Sequence, residues 1–136
     1  MKLTRASSYA LHAVTFMAVQ KHDHPTASHH IAQARHIPER FLLKVLKPLV
    51  SARVLHSVKG PNGGYRLARS PNSITLLEVL EAVDGPIRGQ APFGGTKGNG
   101  STLDHKLENI CKQVSEQTRR QLGKVRVSDL LAGKRK

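Results

Sequence analysis

Val58-Lys59-Gly60-Pro61-Asn62-Gly63-Gly64-Tyr65-Arg66-Leu67 is the stretch of this 136-residue chain whose reading decides the fold. Asn-Gly between two strand-like runs is a strong hairpin signal, because the central residues of a tight turn there need positive φ. Val54 to Lys59 therefore reads as a strand, Gly60 to Gly64 as a turn, and Tyr65 to Ala68 as the antiparallel partner. Surface hairpins are common, so the turn alone decides little. The segment before it gives it meaning.

Upstream, Pro38 stands at the first position of a predicted helix, where its missing N–H costs nothing. Glu39 beside it favours the positive end of the helix dipole. Leu42, Val45, Leu46 and Leu49 fall on one stripe of that helix, and Arg40, Lys44 and Lys47 form a basic stripe beside it. Pro48 removes the hydrogen bond to the Lys44 carbonyl, which predicts a kink or an early loosening. A short helix over roughly Ala27 to Ala34, with Ile31 facing the core, joins it through Arg35-His36-Ile37. Before that, Thr4 caps a helix running to about Gln20, whose Ala10, Ala13, Val14 and Met17 share a face. A polar loop, Lys21 to Pro25, separates the two.

Downstream, Thr75-Leu76-Leu77-Glu78 is a capping box that opens a helix burying Leu76, Val79, Leu80 and Val83, ended by Gly85-Pro86. Residues 86–101 hold five Gly and two Pro, the composition of a flexible linker. Leu103, Leu107, Ile110 and Val114 then repeat at heptad-like steps along an amphipathic helix that ends before Gly123. Ser128-Asp129 caps a last short turn. The expected fold is mainly α with a small β-hairpin. It divides into a winged helix-turn-helix over 1–85, a linker over 86–101, and a dimerisation helix with its tail over 102–136.

Composition narrows the function. Lys and Arg number 22 against nine Asp and Glu, a net charge of +13, so an anionic partner is expected. From Arg35 to Arg69 there are eight Lys or Arg and one acid, Glu39, whereas Ser70 to Asp84 carries three acids and neither Lys nor Arg. The positive field thus belongs to the helix-turn-helix and hairpin, as a nucleic-acid footprint requires. The opening Met1 to Arg5 lacks the apolar core of a signal peptide, and no run approaches the ~18 apolar residues of a membrane span. The chain reads as soluble and cytoplasmic, with no membrane partner.

A helix-turn-helix lays its second helix in the major groove, with residues near its N-terminus at base edges. Arg40 and Lys44 occupy that region, and Arg to guanine O6 and N7 is the commonest specific contact. For Glu39 two roles stand open, accepting from a cytosine amine or serving the helix dipole. Lys47 extends the basic stripe. The hairpin serves as a wing whose Asn62-Gly63 tip lets backbone approach phosphates, flanked by Lys59 and Arg66. The alternative is a non-specific nucleic-acid binder using charge alone, which needs neither a polarised helix nor a wing. Catalysis is not expected: Gly60 to Gly64 lacks the Gly-Lys-Ser/Thr of a phosphate loop, and no nucleophile–base pairing is recognisable.

Met1-Lys2-Leu3-Thr4 with Tyr9-Ala10, Ile37-Pro38-Glu39-Arg40-Phe41-Leu42, and above all the Val58 to Leu67 wing resemble the Rrf2 family of bacterial regulators. The resemblance spans Met1 to about Gly85 and, more weakly, the C-terminal helix. It implies a winged-helix fold, a dimer built on the long C-terminal helix and binding to a partly palindromic operator; the regulator is expected to be a repressor. It places DNA contacts at Pro38, Arg40, Phe41 and Lys44 and the wing contact at Lys59, where relatives often carry Arg. Relatives have glycine where this chain has His36 and Arg53. If those positions keep left-handed geometry, each costs about 1–2 kcal/mol.

Cluster-binding relatives hold three cysteines before the long helix, whereas residues 86–102 contain none here. Thiolates are the usual cluster ligands, and His105, which takes the position of a histidine ligand in some relatives, cannot replace them. No cofactor and no metal is expected. For Cys111, the one cysteine, two readings stand: a buried structural thiol beside the apolar seam, or a redox switch. His22, His24, His29, His30 and His36 form a cluster without the partners of a tetrahedral metal site. Their protonation would add charge near DNA and make affinity pH-dependent. An unknown small-molecule or protein effector stays open.

Overall fold

A computed structural model of the chain describes residues 1–88 and 102–131. Seven elements follow in order: α1 (Arg5–Ala18), α2 (Ser28–Arg35), α3 (Glu39–Ser51), β1 (Leu55–Val58), β2 (Gly64–Leu67), α4 (Leu76–Asp84) and α5 (Thr102–Gly123). Short 3-10 turns at Pro71–Ser73 and Val127–Leu130 flank α4 and follow α5. The linker expected over 86–101 lies outside the described residues beyond Arg88, as does the tail beyond Leu131.

The predicted apolar faces of α1, α2 and α3 are buried, whereas on α4 only Val79 and Leu80 of the expected four are, with Leu76 and Val83 half-buried. Ala10, Ala13, Val14 and Met17 of α1, Ile31 of α2, and Leu42, Val45, Leu46 and Leu49 of α3 share one core cluster. Each large aliphatic side chain there contributes roughly 1.5–3 kcal/mol relative to exposure. Thr4 starts α1 by accepting from the Ser7 N–H at 3.0 Å, and its hydroxyl donates to the Asp84 carboxylate at 2.9 Å. The fully buried Ser7 hydroxyl donates to the same carboxylate, so the end of α4 clasps the start of α1.

Three local expectations are corrected. Pro38 is the residue before α3 rather than its first helical residue, with φ −58° and ψ 129°. Pro48 does not loosen α3 early, since the helix continues to Ser51. Leu46 and Leu49 on either side of it are fully buried, and their burial outweighs the one lost backbone hydrogen bond. At Thr75 only half of the capping box forms. Thr75 Oγ1 accepts from the Glu78 N–H, but the Glu78 carboxylate pairs with Arg69 at 2.6 Å.

His36 and Arg53 both keep the left-handed conformation, with φ 56° and 64°. Each ends a helix: Ile37 N–H donates to Ala32 O and Val54 N–H to Leu49 O, both at 3.0 Å. These are the six-to-one bonds of a Schellman ending. The reversal sends the next residue, Ile37 or Val54, into the core. The geometry is retained because the core demands it, whatever side chain stands at the turn.

The hairpin pairs Leu55 with Leu67, His56 with Arg66, Ser57 with Tyr65 and Val58 with Gly64. Thr26 adds a bridge on its other side, exchanging both backbone bonds with Tyr65 at 2.8 Å. At the other end, Leu76 N–H donates to Val125 O and Val127 N–H to Ile74 O, both at 2.8 Å. Val127 is fully buried in the same core as α1 and α3. Its turn starts at Arg126, whose N–H donates to Asp129, while the Ser128 hydroxyl donates to Asn72. Ser128 is therefore a joint to the Pro71–Ser73 turn and not the cap. Arg119 grips Glu81 through Nε at 2.8 Å and Nη2 at 3.0 Å, tying α5 to α4. Arg119 holds the Glu81 carboxyl below the usual glutamate range, helped by the Ile87 N–H and opposed by partial burial.

Replacing His36 or Arg53 by glycine removes the left-handed penalty at no cost in contacts. Each variant should gain about 0.5–1 kcal/mol of unfolding free energy, after glycine's own entropic cost is counted. Urea titrations at one fixed protein concentration check this. An unchanged midpoint for both variants would show that the turns carry no strain.

Candidate nucleic-acid interface

With its apolar stripe in the core, α3 turns Pro38, Glu39, Arg40, Lys44 and Lys47 to solvent. Phe41 sits among them, 36% exposed. Two cations lie over its ring, the Arg40 guanidinium at 4.8 Å from the centroid and the Lys44 ammonium at 5.7 Å. Such contacts are worth roughly 0.5–1 kcal/mol at exposed sites. They limit the range of two long side chains, so less freedom remains to be lost on binding. Phe41 is thus an organiser of the basic pair, a role that spacing alone did not reveal.

Glu39 is already committed. Its Oε2 accepts from the Ser28 hydroxyl at 2.7 Å, joining the start of α2 to the start of α3. This bond sets how the two helices of the motif meet, and Ser28 was not among the residues expected to matter. No periodicity pointed to it, because the contact spans the turn between helices.

On the wing, Lys59 and Asn62 are exposed and Gly63 is half-buried. A Cβ at Gly63 would lie 2.2 Å from the Val58 carbonyl oxygen, and one at Gly64 would lie 2.3 Å from that of Thr26. The glycine pair therefore permits the tip to fold back and the Thr26 bridge to close. Arg66, expected only to flank the tip, donates to the Asp23 carbonyl at 3.1 Å and ties the 21–25 loop to β2. Its exposed side chain has other N–H groups, but part of its role is structural. Arg35 is likewise occupied, by His12 Nδ1 at 3.0 Å, Thr15 Oγ1 at 3.3 Å and the Phe16 ring.

Among the described residues nothing covers the α5 seam. Leu103, Leu107, Ile110 and Val114 are 63%, 40%, 53% and 54% exposed. Cys111 is half-buried beside them and lines an apolar cleft of about 490 Å³ with Leu3, Leu80, Ile87 and Ile110. Among the described residues no three His, Cys, Asp or Glu groups are placed to hold a metal. No described helix is long and apolar enough to cross a membrane.

Comparisons with known proteins agree with this geometry. A 28% identical HTH-type transcriptional regulator of Mycobacterium tuberculosis aligns over 87% of this chain and 78% of its own length. The regulator IscR of Aliivibrio salmonicida is 32% identical over 85% of this chain and 70% of its own. Other matches are partial, and the chain spans half the length of a 40% identical HTH-type regulator of Aquifex aeolicus. The structure of CymR, the global cysteine regulator of Bacillus subtilis, superposes with a TM-score of 0.75 at 22% identity, over 99% of each chain. The Rrf2 family model, described as iron-dependent transcriptional regulator, matches residues 3–133. The donor set does not fit iron of the cluster kind: there is one thiol, Cys111, and residues 89–101 and 132–136 contain no His, Cys, Asp or Glu.

Gly63→Ala should disrupt the hairpin tip, because the new Cβ meets backbone that has no room to yield. Amide exchange at Tyr65 should accelerate while the α1 and α3 amides keep their protection. Unchanged protection at Tyr65 would show that the wing does not need its glycine. The helix-turn-helix, its wing and the family match identify the chain as a DNA-binding transcriptional regulator belonging to the Rrf2 family.

Proposed function

We propose that this chain is a sequence-specific repressor that binds a partly palindromic operator as a homodimer, without an iron–sulfur cluster. The observation that carries the reading is the face of α3, where Arg40 and Lys44 are gathered on Phe41 beside a wing bearing Lys59 and Asn62. A charge-only binder has no use for cations stacked on an aromatic ring at the start of a helix. Arg40 and Lys44 read base edges, and Pro38, Phe41 and Glu39 set the approach of the helix. Lys47, Lys59, Arg66 and the Asn62-Gly63 backbone meet phosphates or the minor groove.

The dimer rests on the uncovered seam of α5. Four large aliphatic residues on one helix face are costly in water, and a second α5 is the complementary surface that a symmetric homodimer supplies. Occlusion of promoter DNA by a bound dimer needs no further partner, which is why repression is the mode proposed.

Selection from a random duplex library tests the reading. It should return a motif of two half-sites about one helical turn, or a multiple of one, apart. Arg40→Ala should then relax preference at defined base pairs, at about 1–3 kcal/mol each, while Lys47→Ala weakens all sequences alike. Binding that merely falls with salt, with no motif, would leave the charge acting alone.

Ile110→Glu combined with Leu107→Glu should convert the dimer to a folded monomer in sedimentation. Operator affinity should drop by about a hundredfold or more, because the second half-site is no longer tethered. A dimer that survives both charges would place the interface elsewhere.

A further inference from the structure

Four of the histidines belong to neither the α3 face nor the wing, and the fold brings them to one place. His22 and His24 from the loop after α1, and His29 and His30 from the first turn of α2, line one cleft of about 730 Å³. Its opposite wall is the wing tip, Pro61, Asn62 and Gly63. The floor is uncharged, made by Phe16, Gln20, Pro25, Thr26 and Ala27, and no carboxylate is among the lining residues. The rings of His22 and His24 stack in parallel, 3.6 Å between centroids and 2° between planes. Their Nδ1 atoms lie 2.9 Å from the His24 carbonyl and 3.0 Å from the Pro25 carbonyl. Nδ1 therefore carries the proton in each, and Nε2 is the atom left to gain a second one. His29 and His30 are exposed, with ring centroids 4.9 Å apart.

We propose that this cleft is a second seat for the DNA backbone, in which phosphate is held by imidazolium groups, so that operator affinity rises as the solution is acidified. The inference rests on the DNA-binding reading above and adds a surface built by the loop after α1 and the first turn of α2, with the wing tip as its remaining wall. Imidazole is the side chain whose ordinary titration lies between pH 5 and 8. Four imidazoles crowded into one cleft repel one another once charged, and a phosphodiester that neutralises them draws protons onto the site. Besides His36 at the end of α2 and His56 opposite Arg66 on the hairpin, the surrounding elements carry these charged groups. Lys21 and Asp23 flank His22 on the loop, and the Asp23 atom that accepts from Arg66 is its backbone carbonyl. Glu39 at the start of α3 is bound by Ser28, and Arg35 at the far end of α2 by His12 and Thr15. Lys59 and Arg66 add fixed positive charge at the wing. The carboxylates of Asp23 and Glu39 are therefore the anions at hand that could substitute for phosphate, and neither lines the cleft.

The sign follows from linkage: the DNA-bound form holds more protons than the free form, so affinity increases as pH falls through the histidine range. The test compares the parent chain with the variant H22Q/H24Q/H29Q/H30Q, which keeps polar side chains of similar reach but cannot titrate. Binding to the selected operator is followed by fluorescence anisotropy from about pH 8 to about pH 6, with salt titrations at both ends. The parent should tighten by about tenfold over that range, and its log–log salt slope should steepen by about 0.9 for each phosphate newly neutralised. The variant should match the parent at the alkaline end, which also shows that it is folded, and should lose most of the pH dependence, any remainder being that of the retained histidines such as His36 and His56. Equal pH dependence in both proteins, or none in the parent, overturns the phosphate seat while leaving the α3 and wing interface standing. Absence of duplex binding by the parent at any pH overturns the DNA reading and this inference together.

Discussion

Leu42, Val45, Leu46 and Leu49 leave water together, because they occupy one stripe of a single helix and meet one face of α1. That shared burial fixes the rotation of α3 about its own axis. Every group on the opposite face is placed as a consequence, so Arg40, Lys44 and Lys47 point outward without any contact needed to hold them there. The same burial carries α3 through Pro48, and it holds Arg53 in a left-handed turn that an arginine does not favour. The exposed basic face is thus a by-product of the core. A change in the apolar stripe would redirect the basic one.

Rotation alone does not align the parts, and a small set of polar joints does the rest. Ser28 to Glu39 sets the meeting of α2 and α3, Thr26 with Tyr65 moors the wing to the start of α2, and Arg66 ties in the loop before it. Asp84 clasps Thr4 and Ser7, while Glu81 and Arg119 hold α5 against α4. Three of these five joints converge on the segment from Asp23 to Ser28. The helix-turn-helix, the wing and the histidine cleft therefore share one hinge region. Its geometry bears on all three.

The charge of +13 has a cost that this arrangement lessens. Cations gathered on one face repel one another in the free protein, and stacking two of them on Phe41 partly offsets that repulsion. The family is described as iron-dependent, yet the chain's one thiol is too few to hold a cluster of the usual cysteine-ligated kind. What distinguishes this chain from that description is a concentration of imidazoles beside the wing, together with two strained turns that glycine would relax.

Much of this protein was legible in its sequence because the signals are local. Hydrophobic period, the Thr4 and Thr75 caps, the Asn-Gly turn and the run of cations all depend on residues a few positions apart. Those signals were enough for the helix order, the hairpin and the basic face. Even the strain at His36 and Arg53 could be anticipated, though only through the family resemblance, which places glycine at both turns. The bond from Ser28 to Glu39, the Thr26 bridge, the clasp at Asp84 and the return of Val127 to the core were not legible. They join residues 11 to 80 positions apart, or segments with no periodicity of their own. The adjacent glycines at 63 and 64 were the one trace of the Thr26 bridge, marking a close backbone approach without saying to what. Sequence determined which surfaces are apolar and which are charged. Only the tertiary structure decided which charges remain free, because a side chain's commitment depends on neighbours that the chain brings together by folding.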